Sequence, residues 1–219
     1  THLGHLLRSS RPDEAEALYR EALELRRQLV GNEHPYVADA LINLAGAAMQ
    51  QQRYVEAEQA FIDGLAMRRR TQGEDHPEIG VDLGGLARVY RETGDVAAAE
   101  RTHREAIAHL KRTLGPEHEE VIVNLYALTR LLLADGKPAE AEASAREALA
   151  GREAWHPTGE WLIAEAESLL GATLLAQGRT AEAAPLLQSG YDGLLARWGP
   201  EDDYTVEARE RLTALQERL

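Results

Sequence analysis

The chain contains no cysteine. Disulfides, thiolate metal sites, iron–sulfur clusters and cysteine nucleophiles are therefore excluded. Aromatic residues are also scarce, at 5% of 219 residues with a single Phe. No stretch approaches about 18 consecutive apolar residues, so no membrane span is expected within the chain. No basic segment leading into an apolar one opens it, so no signal peptide is expected in it. Positive charge is the minority sign, with Lys+Arg 24 against Asp+Glu 37 and a net charge of −13. Nucleic acid is not an expected partner of such a chain unless its cations gather on one face. What remains is 44% hydrophobic, enough for a core. With so few aromatics, Ala and Leu must do most of the packing, which favours closely packed helices over sheets.

Those alanines recur. Ala15, Ala57, Ala99, Ala141 and Ala183 are each 42 residues apart, and Leu44, Leu86, Leu128, Leu170 and Leu212 keep the same step. Gly94, Gly136 and Gly178 form a third column, with Gln52 and Ser10 in its earlier slots. Gly31, Gly73, Gly115 and Gly199 form a fourth, broken once by Pro157, and Glu16, Glu58, Glu100 and Glu142 a fifth. A fixed interval of this length is the signature of stacked structural repeats.

Each unit reads as two helices. In the first, Val37, Leu41, Leu44, Ala45 and Ala48 fall on one helical stripe. Glycine in the Gln52 column supplies the left-handed turn that ends it. The second helix starts at Pro12 or Pro138, where a missing N–H is harmless, or behind Asp95 or Thr180 as N-caps. It ends in Gly-x-x-His-Pro or a variant, at 31–35, 73–77 and 115–119. Eleven helical segments are expected: a remnant at about 2–9, its partner at 13–30, pairs at 36–71, 78–113, 119–152 and 158–197, and a last helix at 204–218. The expected architecture is all-α, one domain over 1–219, a right-handed α-α superhelical solenoid of helix hairpins. It comprises a partial first repeat at 1–34, repeats at about 35–76, 77–118, 119–157 and 158–203, and a capping helix at 204–219.

Leu44-Ala45, Gln52-Arg53-Tyr54, Glu56-Ala57-Glu58, Phe61, Leu65-Ala66-Met67-Arg68 and Gly73-Glu74-Asp75-His76-Pro77 resemble the tetratricopeptide repeat (TPR). The 42-residue length and the Gly-x-x-His-Pro link resemble its kinesin-light-chain type. Further on, Ala164 to Gly171, Gly178 to Ala183 and Pro185-Leu186-Leu187 are similar to the C-terminal repeats of bacterial multidomain Ser/Thr protein kinases. That likeness implies a regulatory or scaffolding part of a longer signalling protein, as does a chain opening inside a first helix at Thr1-His2-Leu3. Kinase signature motifs are absent. In kinesin light chains, paired asparagines of the first helix hold a bound peptide backbone. Asn43 matches one of them, and the equivalents are Gly85, Ala127 and Leu169.

The candidates for chemistry reduce to binding. His34, His76 and His118 recur one repeat apart, too far to share a metal whose bonds are about 2.0–2.1 Å, so they are expected to order the inter-repeat turn. His118-Glu119-Glu120 begins like a zincin motif, but Ile122 stands where a second His is required. No Gly-x-Ser-x-Gly elbow or phosphate-binding glycine loop occurs. Neither enzyme activity, a metal nor a cofactor is expected.

If the first helices line an inner wall, as the resemblance implies, Arg88 and Arg130 share one column there, with Arg91 and Tyr126 one turn away. Arg grips a carboxylate through two parallel hydrogen bonds. The candidate peptide-binding residues are therefore Asn43, Arg88, Arg91, Tyr126 and Arg130, with an acidic or carboxylate-ended peptide as ligand. The competing expectation is that these arginines merely pair with Glu92, Glu120 or other neighbouring acids.

Trp155 and Trp161 flank His156-Pro157, which stands four residues ahead of the register. The helix before it is expected to lose a turn and the helix after it to gain one, with the tryptophans plugging the gap or meeting a partner. In the last helix, Val206, Leu212, Leu215 and Leu219 are expected inside, and Glu207 and Arg211 among the outer residues. Leu3, Leu6 and Leu7 would be bare at the front end unless more chain or a second copy covers them. The sequence is read as a protein-interaction module or scaffold. The alternative is self-association as a homodimer that clusters an attached signalling domain. Cytoplasmic location is expected, with a membrane span upstream of Thr1 left open.

Overall fold

The computed structural model describes residues 12–155 and 160–218. Ten helices are seen among them and no strand: α1 (Pro12–Val30), α2 (Pro35–Gln50), α3 (Tyr54–Gln72), α4 (Glu78–Thr93), α5 (Val96–Leu114), α6 (Glu119–Ala134), α7 (Pro138–Trp155), α8 (Glu160–Ala176), α9 (Thr180–Trp198) and α10 (Asp203–Gln216). The expected remnant at 2–9, with Leu3, Leu6 and Leu7, lies outside the described residues, as do His156, Pro157 and Leu219. The chain divides into two compact units, residues 1–113 and 114–219. Within each, helices that follow one another in sequence pack together, as α2 on α3 or α8 on α9.

The alanine column sets the packing. Ala15, Ala57, Ala99, Ala141 and Ala183 are all 0% exposed. Glycines bring helices closer still. A Cβ on Gly190 of α9 would lie 2.7 Å from the Ala164 carbonyl oxygen and 2.8 Å from the Ser168 amide nitrogen, both α8 backbone. In unit 1 a Cβ on Gly64 of α3 would first meet the Ile42 side-chain tip, at 2.5 Å. Larger apolar side chains fill the remaining space: Phe61, Leu65, Ile79, Leu83 and Leu86 in unit 1, and Leu170, Leu174, Leu187 and Leu215 in unit 2.

The helix ends follow local chemistry. His34 and His118 are N-caps whose Nδ1 accepts from the Tyr36 and Glu120 amides, each at 3.2 Å. His76 Nδ1 accepts from the Glu78 amide at 3.4 Å. The recurring histidine therefore satisfies orphan N–H groups at a helix start. Asp95 caps α5, accepting from the Ala98 amide at 2.9 Å. Thr180 does not cap α9; it is the first helical residue, preceded by Arg179 with no side-chain cap bond. Gly94 adopts φ 82°, and Gln52 in the same column is forced to φ 59°, which costs a side-chain-bearing residue about 1–2 kcal/mol.

α7 ends at Trp155 and α8 begins at Glu160, on either side of residues 156–159, so the expected exchange of a turn between these two helices falls outside the described residues. Trp161 meets Trp198 edge-on, with centroids 5.5 Å apart.

Two members of the glutamate column, Glu16 and Glu142, are inter-repeat staples. Glu16 of α1 bonds Arg53 at the start of α3, and Glu142 of α7 bonds Arg179 at the start of α9, the latter at 2.7 Å. Hydrogen bonds from Gln177, Arg146 and Arg179 hold the Glu142 carboxyl down at about 2.

Three outcomes follow from these contacts. Gln52→Gly should raise stability by about 0.5–1 kcal/mol in urea unfolding, relieved backbone strain outweighing the added unfolded-state freedom. Gly190→Ala should lower it by about 2 kcal/mol, because rigid backbone must move, whereas Gly64→Ala should stay within about 1 kcal/mol of wild type, since Ile42 can turn and Ala favours the helix. The staple of Glu142 is fully present above its ordinary value of 4.5 and is lost as pH falls toward about 2. Wild type should therefore lose its advantage over Glu142→Gln across that window in acid-unfolding curves.

Candidate functional site

The five residues expected to bind peptide divide between the units. Asn43, Arg88 and Arg91 belong to unit 1, Tyr126 and Arg130 to unit 2.

In unit 1, half-buried Asn43 lines a cavity of about 340 Å³ together with Arg26, Asp39, Ile42, Arg68, Glu78, Val81 and Asp82. Arg68 dominates it. Only 3% of this side chain is exposed; its Nε donates to Asp82 at 2.7 Å, and its Nη1 pairs with Asp39 at 3.1 Å. Burial pushes the Asp82 carboxyl up to about 7, against the attraction of Arg68. Arg68 thus ties the first helix of its own repeat to the first helix of the next. Arg88 and Arg91 lie outside this cavity on α4. Both are exposed; Arg91 pairs with Glu92 at 2.5 Å, and Arg88 has polar interactions of its own.

In unit 2, Tyr126 is not on an open wall. It is buried, its hydroxyl donates to the Leu162 carbonyl and accepts from Arg152 Nε, each at 3.4 Å, and the Arg152 guanidinium lies 5.5 Å from its ring centroid. Burial raises its pKa. The expected polar tip for a ligand is thereby used up inside the unit. Arg152 also grips Glu119 with both Nη groups. Arg130 does stand open, with 45% of its side chain exposed.

The partner of Arg130 overturns an expectation about the last helix. Glu207 and Arg211 of α10 are half-buried rather than outward, while Thr205, Ala208 and Leu215 form the buried stripe, with Val206 and Leu212 only half-buried. Arg130 and Arg211 both donate to the same oxygen, Oε1 of Glu207, the Arg211 bond being 2.5 Å. Arg211 Nη1 also donates to Ser168 Oγ at 3.0 Å. Burial pulls the Arg211 guanidinium below its ordinary value; Glu207 opposes this and the Arg130 charge adds to it. Glu165 sits in the same field, its carboxyl pushed up by burial against the attraction of Arg152, Arg130 and Arg211.

Two of the expected inward positions are packing positions. A Cβ on Gly85 would lie 2.6 Å from the Phe61 ring, and Leu169 is buried. At Gly85 and Leu169 the column that carries Asn43 therefore serves the core. Unit 2 also has a shallow cleft of about 660 Å³ between α8 and α9, where Pro185 and Gly193 leave space beside Ile163 and Glu167. Among the described residues no group of three or more His, Asp or Glu could hold a metal ion, and no helix is long and apolar enough to cross a membrane.

One column escaped the sequence reading. Arg26, Arg68, Leu110, Arg152 and Leu194 keep the 42-residue step. Arg68 and Arg152 are each 3% exposed, Leu110 0% and Leu194 1%. At 68, 110, 152 and 194 this core position is filled either by leucine or by a paired arginine. The 42-residue step among Arg26, Arg68 and, two steps on, Arg152 was the available signal. For Glu207 and Arg211 the signal was their i, i+4 spacing, which looks the same on a solvated face.

Comparison with known proteins fits this architecture. A tetratricopeptide repeat family model matches residues 2–48, 36–112 and 83–154, and a second tetratricopeptide repeat model matches residues 164–189. Nearly identical TPR-like repeats from a Podosopora anserina protein described as a kinesin light chain are 21% identical over 90% of this chain and 94% of that one, with a TM-score of 0.76. BtubC (BKLC) from P. vanneervenii is 15% identical over 95% of this chain and 84% of that one, with a TM-score of 0.79. A Rap protein complexed with competence and sporulation factor is 13% identical over 98% of this chain and 62% of that one, with a TM-score of 0.65. No curated protein gives a match. At such identities the structural likeness speaks for the fold, and the family models cover most of the sequence: the chain belongs to the tetratricopeptide repeat family.

Proposed function

We propose that this chain is a protein-interaction module that binds an acidic segment of a partner through arginines of its first helices. One observation carries this. Arg88 and Arg130 are exposed side chains at the same repeat position, in a chain of net charge −13. Solvent-facing cations there attract carboxylates from beyond contact range, and the guanidinium fork then binds them in two parallel hydrogen bonds. Each unit is taken by itself, with Arg88 and Arg91 as the cations of unit 1 and Arg130 as that of unit 2. Asn43 has a secondary place, as a polar wall of the unit 1 cavity. Tyr126 acts through Arg152 and the α8 backbone and does not touch the ligand. The Rap protein that shares this fold holds competence and sporulation factor, a precedent for ligand binding by such an array. Membership of a larger bacterial signalling protein is the setting we infer from the likeness of residues 164–187 to kinase-linked repeats.

The test uses a fluorescein-labelled hexaglutamate peptide, titrated by anisotropy at about 0.15 M ionic strength. Replacing Arg88 and Arg130 together by Glu should weaken binding at least about tenfold, or roughly 1.4 kcal/mol. A hexaglutamine peptide should not bind. Equal affinity of wild type and double variant for hexaglutamate would remove the arginines from the site.

A further inference from the structure

The contact between α6 and α10 has the form of an occupied binding site. Two guanidinium groups from different helices converge on one carboxylate oxygen, Glu207 Oε1. Each guanidinium carries five N–H donors in a fixed fork that suits a two-oxygen carboxylate. Here both forks share a single acceptor atom, so their donor capacity far exceeds what Glu207 takes up. Ser168 Oγ accepts one further bond from Arg211. The Arg130 side chain is 45% exposed, so it is open to a group from solvent.

Two like charges also share one acceptor here. Arg130 and Arg211 repel one another, and the Arg130 charge together with burial makes the protonated form of Arg211 harder to hold. Glu165 is the other acid in the field, its pKa raised by burial against the attraction of Arg152, Arg130 and Arg211. A second carboxylate arriving from outside would ease the repulsion between Arg130 and Arg211 and would compete with Glu207 for the same donors. Glu207 is 33% exposed and reachable, and it sits on the last described helix. Glu207 and Arg211 are one turn apart on that helix, so the acid can swing away while Arg211 stays anchored on Ser168.

We propose that Arg130 and Arg211 form a carboxylate-binding clamp, and that Glu207 is its internal occupant, displaced by the carboxylate of an acidic peptide. This deepens the proposed function and rests on it: the ligand class is the same, and Glu207 sets its affinity. An internal competitor lowers apparent affinity by the fraction of time the clamp is open. A clamp closed nine-tenths of the time gives about a tenfold penalty, which removal of the Glu207 charge would abolish.

The experiment measures hexaglutamate binding to the whole chain as wild type, Glu207→Gln and Glu207→Gln with Arg130→Gln. Glu207→Gln should bind about tenfold more tightly than wild type, and the added Arg130→Gln should erase the gain. Amide hydrogen exchange supplies a second readout. Peptide binding to wild type should speed exchange in α10, which loses its tie to α6, whereas a contact that only braces the fold would leave it unchanged or slower. Should Glu207→Gln fold poorly, Glu207→Asp retains the charge but retracts the oxygen, and it should give a smaller gain in the same direction. Wild type and Glu207→Gln binding equally well would overturn the clamp and leave the proposed function standing. Weaker binding by Glu207→Gln, or α10 exchange unchanged on binding, would also overturn the clamp. Absence of binding in every variant would overturn both.

Discussion

Close approach of helix backbones is the constraint on which the rest of this molecule depends. Alanine at positions 15, 57, 99, 141 and 183 leaves no exposed surface, and the glycines at 64, 85, 171 and 190 would each push a Cβ into a neighbouring helix or its side chains. Short side chains at these points fix helix separation, and fixed separation in turn dictates what fits elsewhere. Leucine, isoleucine and one phenylalanine fill the space beside the contact, and the chain has little use for further aromatics. Dispersion between closely packed atoms is individually weak, but it accumulates wherever two helices run side by side without a gap. The rarity of aromatics and the frequency of alanine are two sides of one packing solution.

On that frame the charges are placed with less freedom than their number suggests. Arg68 and Arg152 occupy core positions that other repeats give to Leu110 and Leu194. A buried guanidinium is tolerable only when paired, and breaking one partner would leave an uncompensated charge. Each therefore comes with its own acids: Asp82 and Asp39 for Arg68, Glu119 for Arg152. Such pairs add less net stability than leucine would. They do make the fit between particular helices unequal, so that Arg68 matches the helix bearing Asp82 and not one bearing the alanines at 166 or 208 of the same column. Repeats built to one pattern need such differences if they are to stack in one order.

The repeat was legible because packing constraints recur at every unit. Small residues at the contact and glycine at the turn return with the period, and the histidine cap returns in three of the links, so the described helix positions agree with expectation to within three residues. Individual departures were not legible in the same way. Gly85 looked like a groove position, since spacing alone does not reveal that Phe61 fills the space above it. Tyr126 looked like a ligand contact, because the arginine that consumes its hydroxyl is 26 residues away. Glu207 and Arg211 read as surface charges because an ion pair on a helix has one sequence signature, whatever it faces. A contact with Arg130, 77 residues earlier, leaves no periodic trace.

The aromatic residues, few as they are, are distributed unevenly. All three tryptophans, at 155, 161 and 198, fall in the second unit, while the first carries Tyr19, Tyr36, Tyr54 and Tyr90 and no indole. Trp161 and Trp198, stacked edge to face, join the first turn of α8 to the last turn of α9. Indole emission from this protein is thus a local signal, silent about residues 1–113. Far-ultraviolet circular dichroism, by contrast, registers every helix in proportion to its length. The two spectroscopies divide the molecule along its own boundary, and any difference between their melting curves is a direct measure of how far the halves unfold independently.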